Sequence, residues 1–378
     1  MVAPMSAYSS LTGAAMMDSW PMARVMAGMS AVPIDHAIDL AFFFPMEDRV
    51  RHDALIAETR RHLGGCLTTI ELALRAAIDA ELVVAAALDR WPDPLCWRSV
   101  RMQPTLISPS LLAHMQMRAG VSLMLRQSGQ PDGEGDPGGM ADELLRVDDP
   151  DHGDAVVALA LAQGRWIARG GEDQPMRADV PAEYFAELVW TAAACLAAVM
   201  QRSVPDADDA LIGLFEKAGW ALLADHDEGA SPLAQADRLV RQLGDRADAP
   251  ELLGGALGQR QFLLFAGLAA RRVRMTIAQV TDILVVGPVA QVATLCRVLG
   301  GSDADYRHLL LALRPVRPSL SDAIIVREAE AYQQLSEGQA DAAATGLRAP
   351  VAFRAKLDHL RRIAGEGGAG VGVGVGRW

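Results

Sequence analysis

Two histidines lie on a predicted helix and are the first candidates for chemistry. His52 and His62 fall within the apolar-periodic stretch 47–63, beside Asp53 and Gly64. Exposed histidines on helices accept phosphoryl groups in relay proteins, so both are candidate phosphoacceptors. The alternative is a pair of surface histidines near a helix end, where the helix dipole favours them. A kinase-type ATP-binding segment does not accompany them.

A group of arginines is the second candidate. Arg271, Arg272 and Arg274 follow one another closely, with Arg260 a few turns earlier. Guanidinium groups bind carboxylates and phosphates in a bidentate manner, so this group could contact an acidic partner or a nucleotide. The alternative is that these cations stabilise the C-terminal end of a helix.

Metal and catalytic motifs are missing from the sequence. The densest acidic stretch, 148–154, does not have the glycine and glutamate positions of a calcium-binding EF-hand loop and is typical of a solvated linker. The cysteines share no C-x-x-C spacing, and there is no phosphate-binding P-loop, zinc-protease motif or nucleophile elbow. We therefore predict no catalytic residue, no cofactor and no metal, although a site assembled from distant residues would leave no local trace.

Composition narrows the classes of protein. The chain has 378 residues, a formal net charge of −12 and 51% hydrophobic residues. This charge disfavours nucleic-acid binding, and the hydrophobic content excludes disorder for most of the chain. The length predicts two or three packed units. The longest apolar run, 188–200, is too short to span a bilayer, and 1–30 does not have the pattern of a secretory signal. We expect a cytoplasmic protein with reduced cysteines.

Hydrophobic residues recur at helical spacing from Asp35 onward, and no stretch alternates convincingly as a strand would. The sequence predicts an all-α fold, either an irregular HEAT-like stack of antiparallel helix pairs or a multi-helix bundle. Gly64 and Gly65 are expected to end the first helix. The predicted helices cover 47–63, 67–88, 108–127, 154–168, 181–202, 208–225, 232–243, 250–273, 276–286, 289–299, 302–313, 319–335 and 351–363.

Glycine and proline predict the domain boundaries. The stretch 129–140 is rich in glycine, proline and acidic residues, as flexible linkers are. It would separate an N-terminal helical unit, 35–128, from a C-terminal helical unit, 141–364. The flanking segments are expected to be loosely structured at 1–34 and disordered in the Gly/Val tail at 365–378.

Two stretches resemble a known family. Residues 250–313 contain Gly258-x-x-x-Phe262-x-x-Phe265, the pair Leu268-Ala269 and Leu295-x-Arg297-x-x-Gly300. Residues 67–112 contain Glu71-x-x-x-Arg75 and Leu106-Ile107-Ser108-Pro109-x-Leu111-Leu112. Both resemble the mostly alphaproteobacterial family known as domain of unknown function 2336, over about two thirds of the chain. The resemblance implies a HEAT-like helical fold and brings no catalytic residues.

The function predicted from the sequence is the binding of a protein partner without catalysis, as an interaction or regulatory scaffold. Stacked helices expose long surfaces suited to recognition. Methionines at 102, 115, 117 and 124 suit either core packing or an adaptable binding face. The alternative is a signalling component that carries or senses phosphate through His52 or His62.

Overall fold

The computed structural model describes residues 54–78, 82–128, 150–203 and 208–349, together with Phe353 and Leu357. These residues form fifteen α-helices and three short 3-10 helices, and the described part of the chain contains no strand. The all-α prediction is confirmed. The HEAT-like arrangement stays a prediction.

The described residues divide into two compact units. Of the described residues, the first unit comprises those within 54–126 and 156–235, and the second comprises 127–128, 150–155 and 236–349. The first unit contains α1 Ala54–Ile78, α2 Leu82–Leu88, α3 Leu95–Met102, α4 Pro109–Ser128, α5 Pro150–Ile167, α6 Ala182–Ser203 and α7 Asp208–Ala224, of which α5 begins before residue 156. The second contains α8 Pro232–Leu243, which begins before residue 236, α9 Pro250–Gly258, α10 Phe262–Val273, α11 Ile277–Val285, α12 Val289–Val298, α13 Asp303–Ala312, α14 Asp322–Gln333 and α15 Glu337–Leu347.

This division differs from the predicted one at 129–140. Residues 156–235 follow that stretch in sequence, yet they pack with the N-terminal helices, because α6 and α7 bury their apolar faces against α1. The predicted linker itself lies outside the described residues, as do the predicted segments 1–34 and 365–378. Most of the predicted helix 351–363 lies outside them as well.

The first helix continues through the glycines that were expected to end it. Gly64 and Gly65 lie in the middle of α1 because another part of the chain passes directly against them. A Cβ on Gly64 would lie 2.1 Å from the carbonyl oxygen of Glu172, and one on Gly65 would lie 2.7 Å from Cβ of Met176. The Met176 amide also donates to the Gly65 carbonyl at 3.0 Å. These glycines provide close approach, which sequence alone does not distinguish from a helix end.

The structure also differs from the sequence prediction in the division and number of the helices. The stretch 250–273 is two helices, because the chain turns at Arg260, whose φ of 58° is left-handed. The helices α3 and α15 were not predicted; α15 begins with a capping box formed by Ser336 and Gln339. The predicted starts at Ser231-Pro232 and Thr276 are confirmed by cap hydrogen bonds from Ala234 N–H and Gln279 N–H.

In the second unit, arginine side chains donate to carbonyl groups at the ends of earlier or later helices. Arg317 donates to the Ile283 and Leu284 carbonyls of α11, both at 2.8 Å. Arg348 donates to the Val273 carbonyl at 2.8 Å. A cation at this position satisfies exposed carbonyls and complements the helix dipole. The dispersed arginines of the sequence therefore fasten helices within this unit.

Candidate functional site

The interior of the first unit contains a buried ionic cluster. Glu58, Arg61 and His62 come from α1, Arg118 comes from α4, and Asp179 precedes α6. All five are buried, and the spacing 58, 61, 62 places the α1 members on one helix face. We refer to these five residues as the ionic cluster.

Glu58 receives hydrogen bonds from several groups. Arg61 Nε donates to its carboxylate at 3.0 Å, the Ser122 hydroxyl at 2.6 Å and Arg126 Nη2 at 2.9 Å. Burial by itself would raise the pKa of Glu58, but the hydrogen bonds from His62, Arg61 and Ser122 outweigh it and hold the pKa well below its usual range. Glu58 is therefore a carboxylate that joins α1 to α4.

His62 is completely buried, and both of its ring nitrogens are engaged. Arg118 Nε lies 2.8 Å from Nδ1, and because a guanidinium can only donate, Nδ1 must be the unprotonated acceptor. Nε2 then carries the proton and donates to Glu58 at 3.0 Å. Burial, assisted by the charges of Arg118 and Arg61, lowers the pKa of His62 to about 3. The imidazole is a neutral link between a cation and an anion.

Arg118 completes the cluster. Its Nη1 lies 2.9 Å from Asp179 Oδ1, its Nη2 donates to the Arg177 carbonyl at 2.9 Å, and its guanidinium lies 4.7 Å from the centre of the Trp166 ring. The Trp166 indole N–H donates to Asp179 at 3.0 Å. Each charged member thus faces an opposite charge, as buried ions require. The cluster fastens elements together and presents no free reactive group.

The predicted phosphoacceptors and arginines can now be placed. His62 is neither exposed nor at a helix end, which contradicts both readings of it as a surface histidine; its burial and its two hydrogen bonds leave no ring nitrogen for phosphoryl transfer. His52 lies outside the described residues. The arginines of 260–274 belong to the second unit and His62 to the first.

Those arginines lie in the turn between α9 and α10 and at the end of α10. Arg271 forms an ion pair with Asp248 at 3.0 Å, and Arg272 donates to the Asp248 carbonyl at 3.0 Å. Arg274 is the left-handed residue that ends α10, with a φ of 56°. Arg260 occupies the turn before α10. This placement agrees with cations that stabilise helix ends, and it leaves Arg271 and Arg272 engaged within the chain.

An apolar groove on the first unit is a candidate for binding. It has a volume of about 790 Å³. One side is formed by Trp91, α3 and the turn that follows α3, and the other by the last three turns of α6. Three large side chains on it are exposed to solvent: Trp91 by 43%, Met102 by 47% and Leu106 by 43%. Small residues of α6, Ala194 and Ala198, also line it. We refer to this feature as the apolar groove.

The carboxylate of Glu71, on α1, positions the α3 side of this groove. Glu71 accepts the backbone N–H groups of Leu95 at 3.0 Å and Cys96 at 2.7 Å, and so caps the start of α3. Arg75 holds the same carboxylate at 2.7 Å. The Glu71-x-x-x-Arg75 spacing therefore has a structural role in positioning α3.

Two arginines line the groove, and no acidic residue does. Arg98 projects from α3 and Arg202 from the end of α6; both are exposed and form no hydrogen bond or ion pair with the part of the chain that the structure describes. The reduced thiol of Cys195 also lines the groove. The groove is therefore apolar with a positive edge, on a chain whose net charge is −12.

Sequence reasoning missed most of these residues. Met102 belonged to the methionine-rich stretch noted as an adaptable face, but its partners on α6 are about 95 residues away in sequence. The ionic cluster had a local signal in Glu58-x-x-Arg61-His62. Only folding brings Arg118 and Asp179 to it.

Within the described residues, no group of three or more histidine, cysteine, aspartate or glutamate side chains could hold a metal ion. One described helix, α6, is long and apolar enough to cross a membrane by length and composition, and half of its most apolar stretch is buried inside the structure. A core helix passes the same test, so this is weak evidence for a span.

The described residues form an all-helical protein with an open apolar groove on its first unit. Comparison with family models, with curated proteins and with solved structures finds no match for this chain. The resemblance to domain of unknown function 2336 therefore stays a prediction.

Proposed function

We propose that this protein is a non-catalytic interaction protein whose apolar groove binds one amphipathic helix of a partner protein, and that the partner helix carries acidic residues beside its apolar face. The observation that carries the proposal is the exposure of Trp91, Met102 and Leu106 around one cavity of about 790 Å³. Large apolar side chains gathered at one surface mark an interaction site more often than isolated ones do. Catalysis is not needed to explain any of them.

The shape of the groove suits a helix. Its sides are formed by α3 and α6, and Ala194 and Ala198 lie one turn apart along α6. Small side chains there allow another backbone to approach, and the large side chains of α3 and its turn would contact apolar residues spaced three and four apart on the partner. This is the helix-in-groove mode of recognition.

Charge selects among partners. Arg98 and Arg202 line the groove without any acidic residue, so a partner with glutamate or aspartate at its flanks gains favourable electrostatics, and a basic helix is rejected. A partner with this composition would otherwise be repelled by the acidic chain. The groove is therefore the place where an acidic helix meets local positive charge.

Site-specific photo-crosslinking in the native cell tests the proposal. A photoreactive amino acid replaces Met102 in the full chain, and a matched chain carries it at Leu311, which is also 47% exposed but belongs to the second unit. We expect Met102 alone to crosslink to another polypeptide. The crosslinked segment should have apolar residues three and four apart with acidic neighbours.

Other occupants give distinguishable products. A crosslink within the same chain, to a second copy, or to a lipid would overturn the proposal, as would equal products from Met102 and Leu311. A peptide of the captured segment is then titrated by fluorescence anisotropy. We expect the double variant Arg98→Glu/Arg202→Glu to weaken binding about tenfold and to remove its salt dependence.

The matched control is Arg101→Glu. Arg101 is exposed on the same helix as Arg98 but does not line the groove. It should leave the affinity unchanged. If Arg101→Glu weakens binding as much as the double variant does, the effect comes from net charge and the groove is not the site.

A further inference from the structure

A second, smaller cavity of about 230 Å³ lies in the first unit, against the loop between α5 and α6. Four arginines line it: Arg61, Arg165, Arg169 and Arg177. No aspartate or glutamate is among its lining residues. Two of these cations are already paired within the chain: Arg61 with Glu58, and Arg165 with Asp179, whose Oδ2 lies 3.9 Å from Arg165 Nη2. The other two leave the cavity with an excess of positive charge that a bound anion would compensate.

Two of these arginines are anchored in place. Arg61 is held by Glu58, and its Nη1 donates to the Ala168 carbonyl at 2.8 Å, so its charge is compensated. Arg165 Nη2 donates to the Ala230 carbonyl at 2.6 Å. Its Nε is buried and has no hydrogen-bond partner among the described residues. A buried donor without a partner is costly, and a bound acceptor would remove that cost.

The other two arginines are free. Arg169 and Arg177 are exposed, and neither side chain forms a hydrogen bond or an ion pair with the described residues. The same loop holds three acidic residues, and none of them pairs with Arg169 or Arg177 among the described residues. Glu172 binds Arg60 at 2.9 Å and the Trp97 indole at 3.2 Å, Asp179 lies 2.9 Å from Arg118 Nη1, and Asp173 is exposed. The cavity therefore has guanidinium donors available to a ligand.

From this arrangement we propose that the cavity is a binding site for a phosphoryl group. Its volume is below that of a pocket for a drug-sized ligand and suits a compact anion. A dianion with several acceptor oxygens can engage several guanidinium groups at once, whereas a carboxylate offers one charge and two oxygens. The site is separate from the apolar groove and does not depend on the proposed function.

Isothermal titration of the full-length protein with inorganic phosphate at low ionic strength is the first test. Acetate serves as the monoanion control, and a phosphoserine peptide and a nucleoside monophosphate distinguish free phosphate from an esterified phosphoryl group. We expect saturable binding of at least one phosphoryl ligand, and binding of acetate weaker by about tenfold or more. The tightest ligand identifies the source.

Variants locate the binding. Arg169→Gln and Arg177→Gln are exposed substitutions, so the protein should stay folded, and each should weaken binding about tenfold. Arg101→Gln, an exposed arginine away from the cavity, should have no effect. As a second measurement, the phosphoryl ligand should raise the thermal midpoint of the wild-type protein, and raise it less in the two cavity variants.

Three results would overturn the site. The first is no saturable binding of any phosphoryl ligand at millimolar concentration. The second is equal affinity for acetate and phosphate. The third is an Arg101→Gln variant that loses as much affinity as Arg169→Gln, which would show attraction by surface charge in general.

Discussion

The buried histidine predicts how the stability of the first unit depends on pH. The pKa of His62 is about 3 in the folded protein, against an ordinary value of 6.5 once the chain unfolds. Between these values the unfolded state binds a proton that the folded state does not, so stability is present above pH 6.5 and is lost as the pH falls. Because one pKa unit corresponds to about 1.36 kcal/mol, lowering the pH from 7 to 5 should cost about 2 kcal/mol from this residue alone.

The variant His62→Gln isolates this contribution. A glutamine amide can still donate to Glu58 but cannot take up a proton, so the variant should lose about 2 kcal/mol less than the wild type between pH 7 and pH 5. Glu58 contributes little over that interval, because its carboxyl would titrate near 4.5 in the unfolded chain and lower still in the folded protein.

Urea unfolding followed by tryptophan fluorescence is the appropriate assay. The five tryptophans among the described residues all lie in the first unit, so fluorescence reports on that unit when Trp20 and Trp378 are replaced by phenylalanine. His308→Gln, an exposed change in the second unit, is the control and should leave this transition unchanged. If the wild type and His62→Gln lose the same free energy of unfolding between pH 7 and pH 5, the assignment of a neutral imidazole to buried His62 is wrong.

Two further changes test how the first unit is fastened together. Gly64→Ala should destabilise the first unit by about 1–3 kcal/mol, because the new Cβ would lie 2.1 Å from the Glu172 carbonyl oxygen. The control Gly164→Ala should stabilise the unit slightly, because a Cβ there meets nothing within 4 Å. Equal thermal midpoints for the two variants would contradict the close approach at Gly64. Arg118→Met should cost about 3–5 kcal/mol in chemical denaturation by leaving Asp179 buried without its main cation, and adding Asp179→Leu should recover part of that loss. A double variant no more stable than Arg118→Met would show that the two charges are not coupled.

The helical class and most helix boundaries follow from local information in the sequence. Apolar residues at helical spacing specify which face is buried, and Ser231 and Thr276 mark helix starts through side chains that reach only three residues along the chain. Such signals predict a helix without knowledge of the fold, because both partners of each contact are close in sequence. For the same reason α3 escaped prediction: its start is capped by Glu71 from another helix.

The structural role of a residue whose partners are distant in sequence depends on the tertiary structure. Gly64 has the local pattern of a helix end and became a point of close packing, because Glu172 lies across it. His62 has the pattern of a surface residue and became a buried link to Arg118, 56 positions later. The apolar groove and the arginine cavity likewise join separate segments. Local conformation depends on residues that are near in sequence. A site depends on which helix faces pack against each other, and only the packing of the whole chain determines this.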